Sequence, residues 1–123
     1  MIIDSYAWIE YFIGSAKGER VKKILEKEKC FTSIFSISEI IEWCLKNNKT
    51  IEKRLELIKS QSGVIVIDER IAMLAAKINY ERKKTIAGWG MADSMILATA
   101  LINDMRVVTG DKHFSDIKNA IMI

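Results

Sequence analysis

The chain has no proline, one histidine and two cysteines. Each shortage excludes something. A single histidine, His113, rules out any ribonuclease mechanism built on a histidine pair. Cys30 and Cys44 read as reduced, small, buried side chains, with no base beside either that would make a nucleophile of it. A disulfide or a shared metal is the lesser reading of the pair. No apolar run reaches the roughly 18 residues of a membrane span. The N-terminus lacks the basic start and apolar core of a secretion signal, so the expected location is the cytoplasm. No Gly-rich phosphate loop of the Walker type occurs. A dense basic stripe is also missing. The formal charge of +3 permits a polyanionic partner without arguing for one.

Half of the 123 residues are hydrophobic, enough for one domain over residues 1–123 with its own core and no need of disulfides. Apolar runs of two kinds alternate. Short runs at 1–3 (MII), 30–32 (CFT), 64–67 (VIVI), 106–108 (RVV) and 120–123 (AIMI) are too short for helices and lack polar alternation, as buried parallel strands do. Helical patterns lie between them. One is capped by Ser5 and ends near Gly14. Others cover about 17–28, 36–47 and 50–60, one runs from a cap at Asp68 to about 84, and the last spans 91–103. The last, MADSMILATALIN, is apolar almost all round and so is expected to be buried on several sides. Strands separated by helices predict a three-layer α/β/α sandwich around a parallel sheet of four to five strands. Ligands of such folds bind beyond the carboxyl ends of the strands.

Acidic residues gather where that rule points. Asp4 ends the first strand, and Asp111 follows RVVTG at the end of another. Asp93 stands in the first turn of the apolar helix, where alone it fits a charge complementing the helix dipole. Glu39 lies in FSISEIIEW among core-facing neighbours, where alone it fits an exposed position. Glu42 lies one turn further on as a weaker candidate, and Glu10 fits a surface face. Four carboxylates brought together repel unless a cation compensates, and hard divalent ions take oxygen ligands. Such ions activate water and stabilise charge on a scissile phosphate without a catalytic histidine. Ser5 and Thr109, next to two of the acids, can orient a carboxylate as well as cap a helix or a strand end. His113 reads either as a loop residue or as a substrate contact. Gly88 and Gly90 read as a flexible entry to the apolar helix. Trp43 and Trp89 read as packing residues, with a dimer interface as the alternative.

With these segments in order, the sequence resembles a PIN domain of the VapC toxin type, from prokaryotic toxin–antitoxin systems. The resemblance rests on IIDSYAW, FTSIFSISEII, MADSMILATAL and VVTGDKHF, and covers nearly the whole chain. It implies a catalytic, metal-holding set of Asp4, Glu39, Asp93 and Asp111, supported by Ser5 and Thr109. It implies an endoribonuclease dependent on Mg²⁺ or Mn²⁺, one or two ions, with RNA as substrate. It also implies a homodimer and an inhibiting VapB-type antitoxin. Gly110 departs from the pattern, since many relatives carry Arg or Asn between the Thr and the last Asp. Asp116 is a distant substitute for Asp111. Lys83, Lys84, Arg106 and Lys112 are the candidate RNA contacts by proximity in sequence. Two other readings stand beside this one. A receiver-type phosphoacceptor domain shares the layout, but Asp4 lacks the acidic neighbour such sites need. A PIN-like binding module without turnover would keep the fold, although such a module tends to lose the acids.

Overall fold

The computed structural model describes all residues 1–123. Five parallel strands form one sheet: β1 (Ile2–Ile3), β2 (Phe31–Ser33), β3 (Gly63–Ile65), β4 (Val107–Thr109) and β5 (Ala120–Met122), in the order β3-β2-β1-β4-β5. Six helices connect them: α1 (Ser5–Ile13), α2 (Ala16–Lys27), α3 (Ile34–Lys46), α4 (Ile51–Gln61), α5 (Glu69–Arg82) and α6 (Met91–Ile102). The expected three-layer α/β architecture is therefore present.

The layers follow from the period of two in a strand. Ile3 and Val108 face one core with Trp8, Val21, Ile40 and Ile58 of α1 to α4. Their neighbours Ile2 and Val107 face the other, with Ile96, Leu97 and Ala100 of α6. β1 is only two residues long, yet both are fully buried, one in each core. That is why the run reads as apolar without alternation. Trp8 is sealed in with its indole N–H donated to Thr32 Oγ1 at 3.0 Å, so no buried donor is left unpaired there.

Pairing trims the expected strands. β3 pairs Gly63, Val64 and Ile65 with Phe31, Thr32 and Ser33. The chain of β2 turns into α3 after Ser33, whose Oγ accepts the Phe35 N–H at 3.1 Å. Val66 and Ile67 thus have no partner to extend the strand, and α3 starts two residues before the expected position. α6 buries Ser94 and the whole run Ile96–Ala100, as its apolar composition requires.

The chain crosses the sheet outward through β1, β2 and β3, then returns to place β4 on the other side of β1. The strand order reverses between β1 and β4. A crevice opens at the carboxyl ends of strands at such a switch point. Asp4 leaves β1 there, and Thr109 ends β4 beside it.

Candidate metal centre

Asp4 is the N-cap of α1, held by two donors. Its Oδ1 accepts the Ser5 N–H at 2.8 Å, and its Oδ2 accepts the Thr109 hydroxyl at 2.8 Å across the switch point. The Ser5 hydroxyl reaches the other way and donates to Glu39 Oε1 at 3.0 Å. Thr109 Oγ1 also accepts the Asp111 N–H at 3.0 Å. Ser5 and Thr109 thus tie three of the acidic positions into one network. Asp93 caps α6, its Oδ2 accepting the Gly90 N–H at 3.0 Å. The helix-cap reading and the site reading hold together, because the other oxygen has no protein donor.

Asp4, Glu39, Asp93 and Asp111 line a single cavity of about 220 Å³, with Ser5, Tyr6, Ile9, Ala92 and Ile96 as its remaining wall. No Lys or Arg lines it. The uncompensated charge appears in the proton affinities. Burial, opposed by the Thr109 hydrogen bond and reinforced by Glu39 and Asp93, pushes Asp4 from 3.8 up to about 7. Burial likewise raises Glu39, against the Ser5 hydrogen bond and with help from Asp93 and Glu42. Asp93 is raised by burial and by Asp111, partly offset by the Gly90 hydrogen bond and by its neighbours His113 and Arg82. One buried and two half-buried acids held above their ordinary range, in a cavity without a Lys or Arg, fit a missing positive charge. The donors are oxygens, which suits a hard divalent cation.

His113 belongs to this site rather than to a remote surface loop. A ring nitrogen of His113 and carboxylate oxygens of Asp93 and Asp111 lie within 4.8 Å of one another. Its Nδ1 is 2.8 Å from Asp111 Oδ1, but the ring N–H direction misses that oxygen and Nδ1 is left without a hydrogen bond. Gly88, at φ +83°, is not merely a flexible entry. A Cβ there would stand 2.7 Å from His113 Nε2. Gly110 has a similar explanation. A Cβ at that position would lie 2.3 Å from Cε1 of Tyr6, so the Tyr6 ring occupies the space a side chain would need.

Other candidates fall outside the cavity. Arg106 precedes β4, and its carbonyl accepts the Ile2 N–H at the amino end of the sheet. It is a strand length from the acids, and nearness in sequence misled because a strand carries its two ends apart. Asp116 is no substitute for Asp111, because Arg82 holds it with two bonds of 2.8 and 3.0 Å and keeps its carboxyl below the usual range. Glu42 is exposed and paired with Lys46, and Glu10 is bonded to Ser15. Cys30 and Cys44 are both free and buried. Trp43 stacks on Phe12 and Trp89 is buried on Phe114, so both pack within the chain. Lys83 and Lys84 follow Arg82 at the end of α5, and Lys84 lies 4.2 Å over the Tyr80 ring. Lys112 is exposed in the single 3-10 turn Lys112–Phe114.

Two cations escaped the sequence reading. Arg82 stacks 4.1 Å over Trp89, donates to the His113 carbonyl at 3.0 Å and clamps Asp116. Lys17 donates to the Tyr6 hydroxyl at 3.1 Å at the rim of the cavity. Arg82 sits in the charged run YERKK, where only helix phase separates it from its neighbours. Nothing local marks Lys17.

With the fold and the acid cavity in place, the family is clear. The PIN domain family model matches residues 1–120, and the chain belongs to that family. Among solved structures, it is similar to a toxin–antitoxin complex from Klebsiella pneumoniae, at 23% identity and TM-score 0.79, over 98% of this chain and 95% of that one. It is also similar to VapC20 of Mycobacterium tuberculosis, described as a sarcin–ricin-loop-cleaving toxin, at 12% identity and TM-score 0.79, over 99% and 97% of the two chains. A third is FitAcB from Neisseria gonorrhoeae, at 22% identity and TM-score 0.73, over 99% and 96%. No curated protein sequence matches significantly. No helix is long and apolar enough to cross a membrane.

Proposed function

We propose that residues 1–123 act as a single nuclease domain, a metal-dependent endoribonuclease and the toxin of a VapBC-type pair. The observation that carries this reading is the convergence of Asp4, Glu39, Asp93 and Asp111, from four separate segments, in a cavity with no cationic side chain. Membership of the PIN family and the toxin–antitoxin relatives support it.

The acids would hold one or two Mg²⁺ or Mn²⁺ ions. A bound ion would supply an activated water and stabilise negative charge on the scissile phosphate. The chain's own residues do the rest. Ser5 and Thr109 fix the carboxylates of Glu39 and Asp4, so that the acids are positioned before substrate arrives. Lys17, bonded to the Tyr6 hydroxyl of the cavity wall, and exposed Lys112, next to Asp111, would contact flanking phosphates, with Lys83 and Lys84 as further candidates. Binding through them weakens as salt rises. The partners of this reading are RNA, a second copy of the chain and a VapB-type antitoxin, acting in the cytoplasm. Exposed Leu45, Val66 and Met73 supply apolar surface for such contacts.

The test is direct. Purified protein is incubated with a pool of structured RNAs, tRNAs included, in Mg²⁺, Mn²⁺ or EDTA, beside Asp93→Asn. Discrete cuts that require metal and vanish in the variant are expected. A folded protein that cuts nothing with either metal would turn the assignment toward a PIN-like binding module.

A further inference from the structure

The four acids and two hydroxyls account for the cavity, but not for the one imidazole that faces it. His113 Nδ1 is shut off from solvent and has no hydrogen-bond partner. Buried polar nitrogens are nearly always paired. A His–Asp ion pair would point the ring N–H at Asp111, and here it misses, although the two atoms are 2.8 Å apart. That spacing has another meaning. Ligands at right angles on an ion with bonds of about 2.1 Å stand about 3 Å apart, and opposite ligands about 4.2 Å apart. Ligand atoms of Asp93, Asp111 and His113 all lie within 4.8 Å of one another, so that side-chain shifts of well under about 1 Å bring them into that span.

The ring is held in this pose. Nε2 abuts the Gly88 backbone, where a Cβ would come within 2.7 Å, so Nδ1 is the nitrogen turned toward the acids. Arg82 fixes the backbone carbonyl of His113, and its guanidinium lies on Trp89. Trp89 in turn donates to Ser94 Oγ at 2.7 Å, next in chain to Asp93. One braced unit carries both the imidazole and the carboxylate.

We infer that His113 is a direct ligand, through Nδ1, of the divalent ion shared by Asp93 and Asp111, and that it biases the site toward Mn²⁺ over Mg²⁺. This rests on the metal-centre reading above and extends it by one residue. Mg²⁺ favours oxygen donors and retained waters, whereas imidazole is a better ligand for the first-row transition ions. A site of carboxylates alone would lack that discrimination.

The experiment is Mn²⁺ titration followed by electron paramagnetic resonance, with pulsed measurements of nitrogen coupling. Because the chain has one histidine, labelling histidine with ¹⁵N assigns any imidazole signal to His113. Imidazole coupling that changes with the label is expected. His113→Phe, which keeps an aromatic ring but removes both nitrogens, is expected to lose the coupling and at least about tenfold in Mn²⁺ affinity. Its Mg²⁺ affinity is expected to change by less than about threefold. His113→Asn, which returns an amide atom near the Nδ1 position, should recover part of the Mn²⁺ affinity. Tight Mn²⁺ binding without histidine coupling overturns this inference and leaves the acidic metal centre standing. Failure of the parent protein to bind either ion overturns both. The label readout uses the parent protein, so it decides even where a variant fails to fold.

Discussion

Two concavities of this chain differ in size and chemistry, and the smaller is the more informative. The larger, about 450 Å³, lies among α1, α2 and α4 and is lined by Lys22, Lys53, Arg54 and Glu19 beside Tyr11, Phe12 and Leu57. Its charged residues are of both signs, so the charges there offset one another. The acid cavity has about half the volume, yet it holds like charges at strand ends and raises their proton affinity. Volume therefore does not mark the chemistry. A cluster that is unfavourable in the bare chain, and that a cation would relieve, does.

The sharpest way to break that contrast is to remove one charge from the acid cavity. Asp4→Asn is expected to lower RNA cleavage by about a hundredfold to a thousandfold, the scale of losing a charge-stabilising group. The same change should hold or raise the thermal midpoint of the metal-free protein at pH 8, because a buried, unpaired charge is gone. A variant that keeps its cleavage, or one that unfolds, would count against the assignment.

Stability against pH is next. Asp4 is pushed up to about 7 when folded, from 3.8 when free. Between those values the folded chain holds a proton that the unfolded chain has released. The contribution of this group is therefore greatest below about pH 4 and is lost as pH rises to 7, by up to about 4 kcal/mol. Glu39 and Asp93, also raised, act in the same direction. Denaturant unfolding in EDTA at pH 5 and pH 8 measures the loss. Added Mg²⁺ or Mn²⁺ should restore more stability at pH 8 than at pH 5. A metal-free protein steadier at pH 8 would show that Asp4 is not held above its ordinary range.

Gly110→Ala probes the wall of the cavity. The new Cβ meets the Tyr6 ring, so a loss of about 1–3 kcal/mol is expected, with weaker substrate binding as Lys17 loses its Tyr6 contact. Calorimetry and salt-dependent RNA binding report the two effects separately. The smallest change is expected in the larger groove. Lys53→Ala with Arg54→Ala should leave cleavage by the isolated protein within about twofold, because neither residue lines the acid cavity. A large drop would make that groove part of the RNA path.

How much was legible in the sequence depended on whether the signal was local. The strand MII running into Asp4, the apolar helix behind Asp93 and VVTGDKHF each carry their meaning within a few residues. A carboxylate at a strand end in a parallel sheet has nowhere to project but the carboxyl edge. Arg106 was misplaced by the same locality, since it is next to β4 but at the wrong end. Asp116 could be dismissed only once Arg82 was seen to hold it.

By itself, then, the sequence determined the alternation of strands and helices, the single parallel sheet and the four acids, because burial and periodicity act over short stretches of chain. The tertiary structure alone decided the return of β4 to the side of β1, which brings Thr109 within 2.8 Å of Asp4 across 105 residues. It also decided that His113 faces the acids, that Gly88 and Gly110 make room for the His113 and Tyr6 rings, and that Arg82 braces the loop. Those contacts join residues far apart in the chain, and pairwise geometry of that kind exists only once the helices have packed on both faces of the sheet.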